Sequence, residues 1–410
     1  MKRAMAILIK YGKAYLILLL CAVTLLTAVF LIPDETIAEH REISRKTIED
    51  EGHLIWGYFG NEAAAIDNIT DDIMLILTTN TERDAFSAAM YSQDYSRYWH
   101  GYLVFLRPAL VLMNYRQIRY VNMLIFFSLT CLLFSMIQRR FGFRSALAFI
   151  GCLTGVYIIV IPVCLQYFTV FAILLVFSVL ILKWYERISK ESMQLMFFLV
   201  GCITSFMDFL TAPLLTLGIP LILYLCCEMD AHSEKSGREH LKNAAVCSIA
   251  WCIGYALFWA AKWVLSSLAL HVDVIADAAN QIVLRTGGDA QKPYDPISAL
   301  DRNCEMMYLS QGRTLALAAL ALLLGLILCA VLFHRKRAHI LRQLPLLAIA
   351  AYPYIWYVII QNHSYIVYLY TYRSQMITVF AALLFLIRIT DWTALEERTA
   401  GIVKKLRKSS

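Results

Sequence analysis

The sequence predicts an all-α, polytopic membrane protein, and three observations lead there. Hydrophobic residues make up 60% of the 410-residue chain and charged residues only 16%, against about 45 to 50% and about 25% in soluble domains. Mean hydropathy is +0.61. The apolar residues gather in runs of about 20 residues, each able to cross about 30 Å of hydrocarbon as a helix. Ten such runs can be drawn, at 14–32, 118–138, 145–163, 166–183, 195–212, 213–227, 244–267, 314–333, 344–360 and 374–389.

The first run follows a basic start and has the outline of a signal peptide. At 19 residues, Ala14 to Ile32, it exceeds the usual signal core and no small-x-small site follows, so it reads as a retained span. Next comes a long polar segment, 33–117, too long for a connector. It holds a charged helix over Glu35 to Glu51, a half-apolar run Ile73 to Leu77, and the aromatic stretch Tyr98 to Pro108, patterned like a helix in the headgroup layer. The span at 213–227 is the weakest, being short and broken by Pro213 and Pro220. Neighbouring helices or cavity water must satisfy the backbone groups those prolines free. A second long loop, 269–313, and a short hairpin, 361–373, complete the segments on this side, and a basic tail, 391–410, ends the chain. Residues 1–390 thus form one transmembrane domain.

Orientation follows from basic residues in the connections. Most of the 37 Lys and Arg fall in Met1–Lys13, Arg139–Arg144, Lys183–Lys190, Lys235–Lys242, Arg335–Arg342 and Arg388–Lys408. These short segments read as cytoplasmic, with both termini inside and the long loops outside. The net charge of +7 therefore reports membrane orientation, and no basic-aromatic patch points to nucleic acid. Of 11 cysteines only Cys304 lies in a long polar loop, so no disulfide framework or metal spacing is visible. Walker A, GxGxxG, HExxH and nucleophile-elbow motifs are absent. An enzyme of this kind would draw its activated substrate from the membrane.

Ionisable residues concentrate on the outer side. In Asp67-Asn68-Ile69-Thr70-Asp71-Asp72, Asp67 and Asp71 are spaced to share a helix face, and mutual repulsion would raise one pKa toward general-base range. The plainer reading is a solvated helix cap. Asp34-Glu35 is a rival pair whose polar face continues through Glu39 and Glu42. Asp208 falls near the outer end of its span, where an acid must line a cavity or pair with a base. Lys262, flanked by Trp259 and Trp263, suits either ligand contact or snorkelling. His363 and Arg373 flank the outer hairpin, and arginine's fork of donors suits phosphate or carboxylate oxygens. Arg285 and Arg107 are further anion candidates that equally fit a solvated surface.

On Asp67–Asp71, Tyr98–Pro108, Ser205–Pro213, Trp259–Trp263, Asn362-His363-Ser364 and Thr371-Tyr372-Arg373, which together span nearly the whole chain, the sequence resembles the GT-C class of membrane glycosyltransferases. It is closest to bacterial membrane proteins similar to that class. The resemblance implies a polyprenyl-phosphate-linked sugar as donor and an extracytoplasmic glycan, lipid or protein as acceptor. It also implies an essential acid and juxtamembrane helices in the first outer loop, at the plasma membrane. In that class the acid commonly follows the first span closely, the position of Asp34-Glu35, whereas the better-matched block starts at Asp67. The base is thus Asp67, Asp71 or the Asp34-Glu35 pair, with Asp208 orienting it. Lys262, Arg285, Arg373 and Arg107 would meet the donor phosphate, His363 would donate to it, and Trp99, His100 and Tyr365 would position the acceptor. A divalent cation is the one cofactor the resemblance leaves room for. A transporter or flippase of lipid-linked glycans, or a polysaccharide polymerase or ligase, is the alternative.

Overall fold

The computed structural model describes residues 2–55, 60–80, 82–287, 294–310 and 312–409. Its elements are helical apart from one antiparallel pair of two-residue strands, Leu54–Ile55 with Ile66–Asp67.

Among the described residues six helices are long and apolar enough to cross a membrane: Met5–Val29, Tyr115–Phe141, Leu165–Trp184, Gly237–Leu270, Thr314–Leu332 and Tyr368–Ile389. The other four apolar runs are helical over shorter stretches. One is α-helical only over Phe143–Gly155, after which Tyr157 takes a left-handed backbone. Two others form Lys190–Met207 and Leu215–Ala231, the latter with Pro220 inside it. The run at 344–360 is split into Pro345–Ala350 and Tyr352–Ile359, with Pro345 and Pro353 in the first turns, where a missing amide costs nothing.

The helices pack through small residues. Lys190–Met207 and Gly237–Leu270 approach so closely that a Cβ on Gly201 would stand 2.1 Å from the Trp251 carbonyl oxygen, and one on Gly254 2.0 Å from that of Phe198. Backbones meet this way in lipid, where packing rather than expulsion of water holds helices together. The apolar surface faces outward accordingly: Leu315, Leu322, Leu324 and Leu328 on the helix Arg313–Leu332, and Leu16, Ile17 and Leu20 on the first helix, are all exposed. A water-soluble monomer seldom shows so large an apolar surface.

The two ends of the bundle differ. The basic segments expected on one side meet there: Arg140 pairs with Glu186 and Arg144 with Glu396, while Arg388 pairs with Asp230 and Arg342 donates to the Ser233 carbonyl, both just before Lys235–Lys242. Lys10 reaches Ser192 at the same end, so the first segment joins them. At the other end the two long loops and the hairpin pack together. Arg97 pairs with Asp277 at 3.0 Å, Asn362 donates to the Leu284 carbonyl, and Asn303 donates to that of Ser364. Each long loop supplies helices to this assembly, Asp34–Glu51 and Leu103–Leu112 from the first and Val274–Arg285 and Pro296–Tyr308 from the second.

Candidate functional site

Asp67 ends the short strand pair and is the N-cap of the helix Asn68–Ile76. Its carboxylate accepts the Thr70 amide at 3.1 Å and the Thr70 hydroxyl at 2.7 Å. Asp at this position satisfies an amide that the first helical turn leaves without a partner. The acidic cluster is thus a helix cap, as its local sequence suggests, but a buried one: Asp67 is only 5% exposed and Asn68 and Asp71 not at all. Asp72 alone turns outward, to Arg45 at 3.1 Å.

Asp71 is committed elsewhere. Its oxygens accept the amides of Leu165 and Gln166 at 2.8 and 3.2 Å, capping the helix Leu165–Trp184, and also the Tyr115 hydroxyl. Burial pushes its pKa up to about 6, even though the hydrogen bonds from Tyr115, Leu165 and Gln166 pull the other way. Arg119 backs the same network, donating to Glu51 at 2.7 and 2.8 Å, to Asn68 at 3.0 Å and to the Tyr115 hydroxyl at 3.0 Å. Asp71 therefore fixes a helix start, with three donors already on its buried carboxylate.

The hairpin brings in a second group. Arg285, at the end of Val274–Arg285, donates to Nδ1 of His363, and Nε2 of His363 lies 3.0 Å from the Leu210 carbonyl. Because Nδ1 accepts, the proton sits on Nε2 and goes to that carbonyl. Burial first, then the adjacent Arg285 charge, lowers the His363 pKa to about 3, so the ring is neutral. Its two nitrogens are spent on positioning Arg285, which leaves it no proton for a phosphate. Leu210 itself is left-handed, at φ +63°, a strain that surrounding contacts must hold. It lies within the turn in which Asp208 accepts the Thr211 amide at 3.0 and 3.1 Å.

Arg373 completes the set. It is buried, lies 4.0 Å over the Tyr167 ring, and donates to the carbonyls of Leu369 and Ala63. The Nε atoms of Arg285 and Arg373 are buried without a hydrogen-bond partner among the described residues.

Three tyrosines join these charges into one neighbourhood. Tyr167 feels both Asp67 and Arg373, Tyr370 feels Asp67 and Arg285, and Tyr255 feels Asp208 and Arg285. Asp67, Asp208, Arg285 and Arg373 thus lie within electrostatic reach of a shared set of tyrosines, and His363 contacts Arg285 directly. Beside Arg285 opens a cleft of about 610 Å³ lined by Asp94, Tyr95, Arg97, Asp277 and Gln281 among others, within the usual size range of small-molecule sites.

Other expected site residues hold the scaffold. Lys262 is fully buried and donates to the Met90 and Ala89 carbonyls at 3.1 and 3.3 Å. It neither snorkels nor faces the cleft, because those two carbonyls end the helix Ala85–Met90 and need a donor. Arg107 is equally buried, donating to the carbonyls of Val29, Ile32 and Thr78 and to Asp34 at 3.1 Å. Asp34 is occupied by that contact and by Arg41, while Glu35 is exposed. Trp99 is buried, its indole donating to the Phe258 carbonyl at 2.7 Å. His100 contacts Ser92 at 2.9 Å, and burial with the Lys262 charge lowers its pKa to about 3. Tyr365 stacks on Tyr294 with ring centres 3.9 Å apart.

Tyr255, Tyr167 and the Arg119–Glu51 pair went unnoticed in the sequence. Arg119, at the mouth of an apolar run, carried the same signal that marked Asp208. No group of three or more His, Cys, Asp or Glu side chains able to hold a metal occurs among the described residues. No protein-family model, curated protein or solved structure matches the chain.

Proposed function

We propose that the chain is a membrane glycosyltransferase of the GT-C type, transferring a sugar with inversion from a polyprenyl-phosphate donor to an extracytoplasmic acceptor. It would sit in the plasma membrane with ten passages and both termini in the cytoplasm. One observation carries this reading. Asp67 and Asp208, 5% and 6% exposed, have no cationic partner among the described residues, and Arg285 and Arg373 have no carboxylate partner. Buried charges ordinarily pair. Three buried groups left without such partners, Asp67, Asp208 and Arg373, together with the half-buried Arg285, suit a ligand offering an anion to the arginines and a hydroxyl to a carboxylate.

In the proposed step the acceptor hydroxyl attacks C1 of the sugar from the side opposite the phosphate. Its proton passes to Asp67, whose oxygens contact only Thr70 among the described residues. The C1–O bond breaks and its electron pair leaves on the lipid phosphate, where Arg285 and Arg373 stabilise the growing charge. Asp208 is the second candidate for that proton, and Asp71 is set aside because three donors, two of them the amides that start a helix, already hold its carboxylate.

The test is transfer from a radiolabelled polyprenyl-phosphate hexose to membrane acceptors by the full chain in proteoliposomes. Asp67→Asn lowers the rate by about 10² to 10⁴ if the carboxylate is the base. Unchanged rates in both Asp67→Asn and Asp208→Asn would remove it.

A further inference from the structure

At the basic end, away from the site above, the chain folds a second cleft. It measures about 280 Å³ and is lined by Arg140, Arg144, Arg335 and Arg388, with Asp230 and Trp392. It lies where the helix Tyr115–Phe141 ends, Phe143–Gly155 begins and Tyr368–Ile389 ends. Helices that cross a bilayer end at headgroup depth.

Two of the arginines are only loosely neutralised. Arg140 and Arg144 pair with Glu186 and Glu396, whose side chains are 73% and 65% exposed, and such surface pairs hold little energy against a competing anion. Arg388 has Asp230 as its partner, and Arg335 has no carboxylate partner among the described residues. His339 adds no charge: its ring lies 3.0 Å from the Arg388 carbonyl and 3.0 Å from Arg342, and burial lowers its pKa. The helix Phe143–Gly155 begins in the same cleft with no side chain capping it. Its first turn, Phe143 to Ser145, lines the cleft, so amides without a side-chain cap lie beside the arginines.

We propose that this cleft binds a phosphate group, with the oxygens of a phosphodiester shared among Arg140, Arg144, Arg335 and Arg388. The depth of the cleft makes a lipid headgroup its natural source, and basic pockets between membrane helices hold such groups. Free inorganic phosphate has the same chemistry. The site is independent of the glycosyl transfer proposed above.

The experiment measures binding of fluorescent phosphatidylglycerol to the full chain in neutral detergent. Unlabelled phosphatidylglycerol competes, phosphatidylcholine does not, and Arg335→Glu weakens binding about tenfold, as losing one charged hydrogen bond does. Lys242→Glu, a charge reversal on an exposed residue outside the cleft, leaves binding unchanged. Displacement by millimolar inorganic phosphate would identify free phosphate as the occupant and still support the site. Equal losses in the two variants, or equal competition by phosphatidylcholine, would overturn it. Unaltered circular dichroism of Arg335→Glu separates lost binding from lost fold.

Discussion

Arg285 donates to Nδ1 of His363, and the opposite nitrogen of that ring contacts the Leu210 carbonyl at 3.0 Å. One neutral imidazole thereby ties the second long loop to the turn that carries Asp208. Replacing His363 by Ala removes both bonds at once. The expected cost is about 1 to 3 kcal/mol of stability, together with a higher donor concentration at half-maximal rate, because Arg285 loses its orientation. Thermal unfolding in detergent and donor titration check the two effects separately.

His100 offers a pH test. Its pKa is about 3 in the folded chain and near 6.5 when unfolded, so between those values the unfolded state binds a proton that the native state refuses. Stability is therefore fully present above about 6.5 and falls as pH drops, by up to about 1.4 kcal/mol per unit. Position 100 is left-handed at φ +53°, a conformation asparagine tolerates. His100→Asn should unfold with a shallower loss between pH 6.5 and 4 than the wild type. Parallel curves would mean that His100 is protonated in the fold.

The two acids of the first loop should separate. Asparagine caps a helix about as well as aspartate, so Asp67→Asn is expected to cost under about 1 kcal/mol while abolishing transfer. Asp71→Asn turns an amide toward the amides of Leu165 and Gln166 and the Tyr115 hydroxyl, three donors that all require an acceptor. It should cost about 2 to 3 kcal/mol. Chemical unfolding of both variants in one detergent decides the comparison.

That contrast shows where the sequence stops being legible. The Asp67 cap could be read from Asp67 and Thr70, three residues apart, because capping is local. The fate of Asp71 could not, since its partners lie 94 and 95 residues away. Lys262 reaches carbonyls 172 and 173 residues back in the chain, so its burial is invisible in the Trp-Ala-Ala-Lys-Trp pattern that suggested snorkelling. Grouping by side was readable, since charge density separates basic connections from long loops. The lengths of the interior helices were not, because prolines and strained turns such as that at Tyr157 shorten runs whose apolar composition continues.

The crossing at Gly201 and Gly254 tests the helix packing. A methyl at either position meets a backbone carbonyl at about 2 Å, and backbone cannot move aside as a side chain does. Gly201→Ala and Gly254→Ala should each destabilise by about 1 to 3 kcal/mol or more, seen as reduced yield of monodisperse protein. Gly151→Ala, with nothing within 4 Å of its Cβ, is the neutral control.

The central claim is that Arg285 and Arg373 hold the phosphate of a lipid-linked sugar between them. Binding of a labelled polyprenyl-phosphate hexose to the full chain, compared with the Arg285→Gln/Arg373→Gln double variant, tests it without requiring turnover. Saturable binding by the wild type and a loss of at least about tenfold in the variant are expected. Equal binding by the two proteins would contradict it.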